Sequence, residues 1–205
     1  MTRLVLVRHG ESVWHAENRY AGISDIALTP LGVRQADWLA GWAGEAGLSS
    51  VWASTLSRSI RTAEPCAQAV GAPLRTDERL RELAFGDAEG LTADEMSLRF
   101  PQARDDFRAD PVAHHLPGGE DPVKAATRFT ECLRDIAAEH PGERVLVVAH
   151  TTVIRLALCQ LIGVPLREYR RLFPFLRNCA LTEISLYDDH TAVLEFNSPL
   201  PGAPS

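Results

Sequence analysis

The chain has 205 residues, a formal net charge of −6, 45% hydrophobic and 23% charged residues. A domain of this size buries roughly 70% of the surface its unfolded chain exposes, so disordered and fibrous classes are excluded. The acidic balance argues against a general nucleic-acid binder, and no apolar run approaches the ~18 residues of a membrane span.

One domain over 1–205 is expected, with a flexible tail at 199–205. No apolar leader followed by a small-residue cleavage site succeeds Arg3. Cys66, Cys132, Cys159 and Cys179 are widely spaced and form no C-x-x-C pair. They read as buried free thiols in a reduced compartment, which places the chain in the cytoplasm.

Leu4-Val5-Leu6-Val7 is a continuous branched apolar run that stops at Arg8-His9-Gly10. It reads as a buried strand of a parallel sheet, and ligands in open α/β sheets bind just beyond the carboxyl ends of such strands. Residues 10–26 show no periodicity and exceed an ordinary connection, which indicates a functional loop. Thr29 then caps a helix with Pro30 in its first position, and Val33, Ala36, Ala40 and Ala43 follow at helical spacing. A short strand around Val51 and Trp52 leads into a helix whose apolar face is Leu56, Ile60, Ala63, Ala67 and Val70, closing at Gly71, with Pro65 expected to kink it. Residues 74–76 form a brief strand, and a helix is predicted over 92–100.

Residues 101–121 are polar and rich in proline and glycine and read as loop. A long helix over 122–140 turns Val123, Ala126, Phe129, Leu133, Ile136 and Ala137 inward. Val145-Leu146-Val147-Val148-Ala149-His150 repeats the opening arrangement, and a helix over 151–162 starts at once. Residues 180–187 and 192–196, separated by Asp188-Asp189-His190, read as a terminal hairpin. The alternation predicts an α/β, three-layer αβα sandwich with a mostly parallel central sheet.

Two buried strands therefore each end in a histidine, one directly preceded by an arginine. Parallel neighbours bring His9 and His150 to one sheet edge, Arg58 reaches that edge from the start of its helix, and the helix opening at Thr151 offers N–H groups to an anion. Concentrated positive charge in an acidic protein suits a phosphoryl dianion. Flanking arginines disfavour a metal, and no cofactor is called for.

Arg8-His9-Gly10-Glu11, Leu28-Thr29-Pro30-Leu31-Gly32 with Gln35-Ala36, Ser54-Thr55-Leu56-Ser57-Arg58, Arg81-Glu82-Leu83, Pro117-Gly118-Gly119-Glu120 and His150 follow one another in order along nearly the whole chain. In these blocks the chain resembles the phosphatase branch of the histidine phosphatase (phosphoglycerate mutase-like) superfamily. The resemblance implies that His9 is a nucleophile forming a phosphohistidine, held by Arg8, Arg58 and His150, with Glu82 protonating the leaving oxygen. Ser12, His15, Gly22 and Thr151 are further expected at the substrate. The chain departs from the family pattern at His15, commonly Asn, at Asn18, commonly Gly, at Ala21, and at Thr151-Thr152, commonly Gly-Gly. Asn18 is tolerable there if its φ is positive.

Glu11 reads as a loop anchor, Arg61 and Arg155 as salt-bridging residues or as supports behind the phosphate contacts, and His114 and His115 as surface residues of a loop that could cover the site. The expected function is hydrolysis of a small phosphorylated metabolite, with a homodimer compatible. A phosphoglycerate mutase and a non-catalytic phospholigand-binding protein are the alternatives. Against a mutase, Glu82 is followed by Leu83-Ala84-Phe85-Gly86, where mutases of the family have Arg-His-Tyr-Gly and a longer chain.

Overall fold

The computed structural model describes residues 1–201. In chain order its elements are β1 (Thr2–Arg8), α1 (Val13–Ala16), α2 (Pro30–Glu45), β2 (Ser50–Ser54), α3 (Ser57–Val70), β3 (Leu74–Asp77), α4 (Ala93–Arg99), α5 (Pro101–Ala109), α6 (Pro122–Glu139), β4 (Arg144–Ala149), α7 (Thr151–Leu161), α8 (Tyr169–Leu172), β5 (Leu181–Leu186) and β6 (Thr191–Ser198). The six strands form one sheet in the order β3-β2-β4-β1-β5-β6. The first four in that order are mutually parallel, and the terminal hairpin β5-β6 joins β1 antiparallel. The mostly parallel α/β sandwich expected from the alternation is thus what forms.

Strands β1 and β4 are unbroken apolar runs because helices cover both of their faces. Leu4, Leu6, Val145 and Val147 pack on one side with Phe129, Leu133 and Ile136 of α6 and Val153 to Cys159 of α7. Val5, Val7, Leu146 and Val148 pack on the other with Leu39 and Ala43 of α2 and Ala63, Cys66 and Ala67 of α3. The register matters most at the carboxyl ends, where Arg8 pairs with Ala149 and Ala53 with Val148. The residues that follow, His9, His150 and Ser54, consequently emerge together.

Several local expectations are corrected. Residues 101–109 are helix α5, not loop, because Pro101 occupies the first position, where its missing N–H is harmless, and Phe107 is buried. Val33 and Val123 are about half exposed, at 49% and 48%. The buried stripes of their helices run instead through Gly32, Ala36, Leu39 and Ala43, and through Pro122, Ala125, Ala126 and Phe129. Pro65 lies inside helix α3, as expected, and the helix remains one element over Ser57–Val70. Within the expected tail, Leu200 is buried against the α2–α3 side of the core, while 202–205 lie outside the described residues. No helix among the described residues is long and apolar enough to cross a membrane.

Candidate active site

His9 and His150 are buried, at 1% and 0% exposure, with ring centroids 5.0 Å apart. The Nδ1–H of His9 donates to its neighbour's carbonyl, Gly10 O, at 2.6 Å, which assigns the tautomer and leaves Nε2 with a free lone pair. That lone pair accepts the Nε–H of Arg58 at 3.2 Å. Burial first, then His150, Arg58, His15 and Arg8, hold the His9 pKa well below its ordinary value of 6.5. His150 is likewise depressed, by burial and then by Arg58. Both imidazoles are therefore neutral at pH 7. Ser54 Oγ lies 2.7 Å from His150 Nε2, whereas His150 Nδ1 and Arg8 Nε are buried without a hydrogen-bond partner. An orphaned buried polar atom calls for a partner, and both of these belong to residues at the carboxyl ends of the adjacent strands β1 and β4.

The strand-to-loop turn is tight. A Cβ on Gly10 would run into the Gly32 carbonyl at the start of α2, so glycine is required for that close approach. Gly10 N–H donates to Thr62 Oγ1 (3.0 Å), and Thr62 donates in turn to Arg58 O (2.7 Å), tying the turn to α3. Glu11 accepts from Thr29 Oγ1 at 2.8 Å and acts as the expected loop anchor.

Arg58 is fully buried and is aimed by carbonyls: Nη1 donates to Ser24 O (2.7 Å) and Nη2 to Gly22 O (2.6 Å). Those carbonyls are set by Glu89, whose carboxylate accepts from Ile23 N (2.9 Å), Ser24 N (2.8 Å), Ser24 Oγ and Phe85 N (3.2 Å). Glu89 went unrecognised in the sequence, where its position in Gly86-Asp87-Ala88-Glu89-Gly90 was the only signal. Gly22 and Ser12, expected at the substrate, stand behind the residues that line the cavity, as do His9, Arg58 and His150. Gly22 orients Arg58, and Ser12 Oγ lies 2.7 Å from His15 Nδ1, because the 12–28 bridge turns it inward.

Glu82 is 3% exposed, and its carboxylate accepts the N–H groups of Leu83 (2.8 Å), Thr152 (2.9 Å) and Val153 (3.0 Å). This corrects the expectation for α7: two of the N–H groups at its N-terminus are taken by Glu82, not offered to an external anion. Arg128 of α6 fixes the segment that carries Glu82, donating to the carbonyls of Arg79, Arg81 and Glu82 at 2.7 to 3.0 Å and to both oxygens of Glu120. The Pro-Gly-Gly-Glu block thus acts on the site through Arg128.

A cavity of about 480 Å³ opens above these groups, with Arg8, His15, Glu82 and Thr151 among its walls. The His15 ring stacks on His9 at 5.3 Å, and burial beside Arg8 and Arg58 pushes its pKa down to about 3. Arg8 Nη1 donates to Leu176 O (2.8 Å), and burial pushes the Arg8 pKa down to about 10. Asn18 has φ +57°, the left-handed conformation its replacement of glycine requires. Its side chain, with Tyr20, Ala21, Tyr169, Arg170 and Asn178, completes much of the wall. Sequence reasoning missed Tyr169, Arg170 and Asn178, which lie on a segment without strong periodicity. His114 and His115 are exposed and off the cavity. Among the described residues no group of three or more His, Cys, Asp or Glu could hold a metal ion.

The model of the histidine phosphatase superfamily, branch 1, matches residues 4–199. This chain belongs to that superfamily. Among histidine phosphatase relatives, it is 34% identical to a probable phosphoglycerate mutase, GpmB, of Yersinia pestis (strain Pestoides F) over 90% of this chain and 85% of that protein. Its structure is similar to Bacillus stearothermophilus YhfR, with a TM-score of 0.91, 31% identity, and 97% and 98% of the two chains covered. It is also similar to a mycobacterial glucosyl-3-phosphoglycerate phosphatase solved with VO3, with a TM-score of 0.87, 28% identity, and 96% and 99% covered.

Proposed function

We propose that the chain hydrolyses a small phosphate monoester through a phosphohistidine on His9. The observation that carries this reading is the His9 ring itself: neutral, with Nδ1–H committed to Gly10 O and Nε2 turned to Arg58, beside the unpartnered Arg8 Nε and His150 Nδ1. A neutral imidazole nitrogen is the attacking species this chemistry needs, and fixed donors around it neutralise charge on the transferring group.

In the first step His9 Nε2 forms a bond to phosphorus as the ester P–O bond breaks, and Glu82 gives its proton to the leaving oxygen. Arg58 stays protonated, and its Nε–H exchanges one acceptor for another, from His9 Nε2 to a phosphoryl oxygen. In the second, water attacks phosphorus, its proton returns to Glu82, the P–N bond breaks, and inorganic phosphate and neutral His9 remain. Arg8, Arg58 and His150 hold the phosphoryl oxygens in both steps, and His15 and Thr151 face the same space. The solved relative named as a phosphatase supports hydrolysis, while the relative named a probable mutase makes isomerisation the competing outcome.

The test is to supply 3-phosphoglycerate and a panel of sugar, nucleotide and amino-acid phosphates, following both free phosphate and isomerised product. Phosphate release is expected to dominate; isomerisation faster than release would replace hydrolysis with mutase chemistry.

A further inference from the structure

The cavity carries more positive charge than the phosphoryl chemistry uses. Arg155 and Arg170 both line it, and both are half-buried. Arg155 donates to backbone carbonyls, from Nε to Thr151 O (3.1 Å) and from Nη1 to Phe173 O and Pro174 O (both 3.1 Å). Arg170 donates from Nη1 to Phe107 O (3.2 Å) and from Nε to the Tyr169 hydroxyl (3.0 Å). Both guanidinium groups pack on the Tyr169 ring, 4.9 and 5.5 Å from its centroid. Carbonyls and ring faces orient a guanidinium without cancelling its charge, and neither arginine forms an ion pair with a carboxylate among the described residues. Of the two readings of Arg155, salt-bridging or supporting, the structure gives the supporting one.

Arg19, on the same wall, shows the contrast, being paired with Glu17 and Glu95 at 3.0 and 2.7 Å. The acids of the cavity are already engaged, Glu11 by Thr29 and Glu82 by three backbone N–H groups. The two arginines meet across the Tyr169 ring, and Arg155 Nε is held on Thr151 O, the residue that follows His150, so both charges lie on the wall that leads away from the histidine end. The Tyr169 oxygen accepts from Arg170, so its own O–H is free to donate.

We propose that Arg155, Arg170 and the Tyr169 hydroxyl form a second anion subsite, so that the preferred ester carries a carboxylate or a second phosphate on its alcohol portion. This rests on the phosphatase reading of the same cavity. Half-buried guanidinium groups with no carboxylate in ion-pair contact are costly, and a ligand oxyanion bonded by two of them and a hydroxyl offsets that cost.

The experiment compares kcat/KM within matched pairs. For the carboxylate, 3-phosphoglycerate is set against glycerol 3-phosphate; for the phosphate, propane-1,3-diol bisphosphate against 3-hydroxypropyl phosphate. The anionic member of at least one pair is expected to be favoured by about ten- to a hundredfold, and which pair responds identifies the anion. Arg170→Gln should bring that ratio to within about twofold of one, Arg170→Lys should recover part of it, and Tyr169→Phe, which removes only the hydroxyl, should lower it severalfold. Ratios near one for the unmutated protein, or a ratio that survives both Arg170→Gln and Tyr169→Phe, overturn the subsite. If no ester is hydrolysed or isomerised, the phosphatase reading has failed, and calorimetry of the same pairs with the unmutated protein still decides the subsite. Tighter binding of an anionic member by about tenfold supports it, and equal binding within both pairs overturns it.

Discussion

The histidine end of the cavity and its outer wall are built from different material. His9 and His150 leave adjacent parallel strands in register, Arg58 sits in the first turn of α3, and Glu82 is clamped onto the start of α7. Each of those groups is fixed by a neighbour itself fixed by the sheet. The outer wall, with Asn18, Tyr169, Arg170 and Asn178, comes from short helices and loops whose side chains are oriented by one another and by backbone carbonyls. The comparison teaches where variation is tolerable: the proposed chemistry rests on the rigid frame, and the proposed selectivity on segments that can change without disturbing it.

The sharpest way to break this division is at the nucleophile. His9→Ala is expected to lower phosphate release by about 10³-fold or more and to abolish acid-labile labelling of the protein by a radiolabelled ester, on the scale of nucleophile removal in covalent enzymes. Retained turnover would remove His9 from the mechanism. Next, Glu82→Gln should slow alkyl esters by about 10²- to 10⁴-fold but an activated aryl ester far less, since only the poor leaving group needs a proton. Equal slowing of both would make Glu82 a helix cap and nothing more.

Glu89 touches neither His9 nor the cavity, yet it sets the carbonyls that aim Arg58. Glu89→Ala is expected to lower kcat by about tenfold or more, the cost of a loosely held catalytic group. Wild-type kcat in that variant would show that Arg58 is positioned by α3 alone.

Smaller again is the acid response. His9, His15 and His150 have folded-state pKa values below the ordinary 6.5. Below pH 6.5 the unfolded chain therefore takes up protons that the folded chain refuses, so stability present at neutral pH is lost progressively as pH falls, for His15 down to about 3. Urea midpoints should fall between pH 7 and pH 5, and less steeply in His15→Asn. A flat midpoint would mean that these rings are solvated. Last, burial pushes the thiols of Cys66 and Cys132 up to about 12 and raises that of Cys179. A thiol reagent at pH 8 should leave the native protein almost unlabelled and label it fully in denaturant.

The frame was legible because its signals are local and periodic. Leu4 to Val7 and Val145 to Ala149 could only be strands covered on both faces, and each hands its terminal residue to the same edge. Thr29-Pro30 and the Asp188-Asp189-His190 turn were equally direct, and the helix and hairpin formed where they indicated. The site blocks were legible as a family pattern, but not the routes by which they act. That Gly22 O accepts from Arg58 and that Ser12 Oγ meets His15 left no local signal. Residues 101–109 looked like loop because composition outweighed one buried residue, Phe107.

By itself, then, the sequence determined the α/β layering, the two histidines at one sheet edge and membership of the superfamily, since strand periodicity and ordered motifs need no knowledge of distant contacts. Only the tertiary structure decided that Glu82 occupies the N-terminus of α7, that Glu89 governs Arg58 across the 22–24 turn, and that Arg155 and Arg170 face the cavity without carboxylate partners. Those facts depend on which carbonyls and N–H groups from remote segments converge on a buried charge. That convergence is set by packing and leaves no periodic trace along the chain.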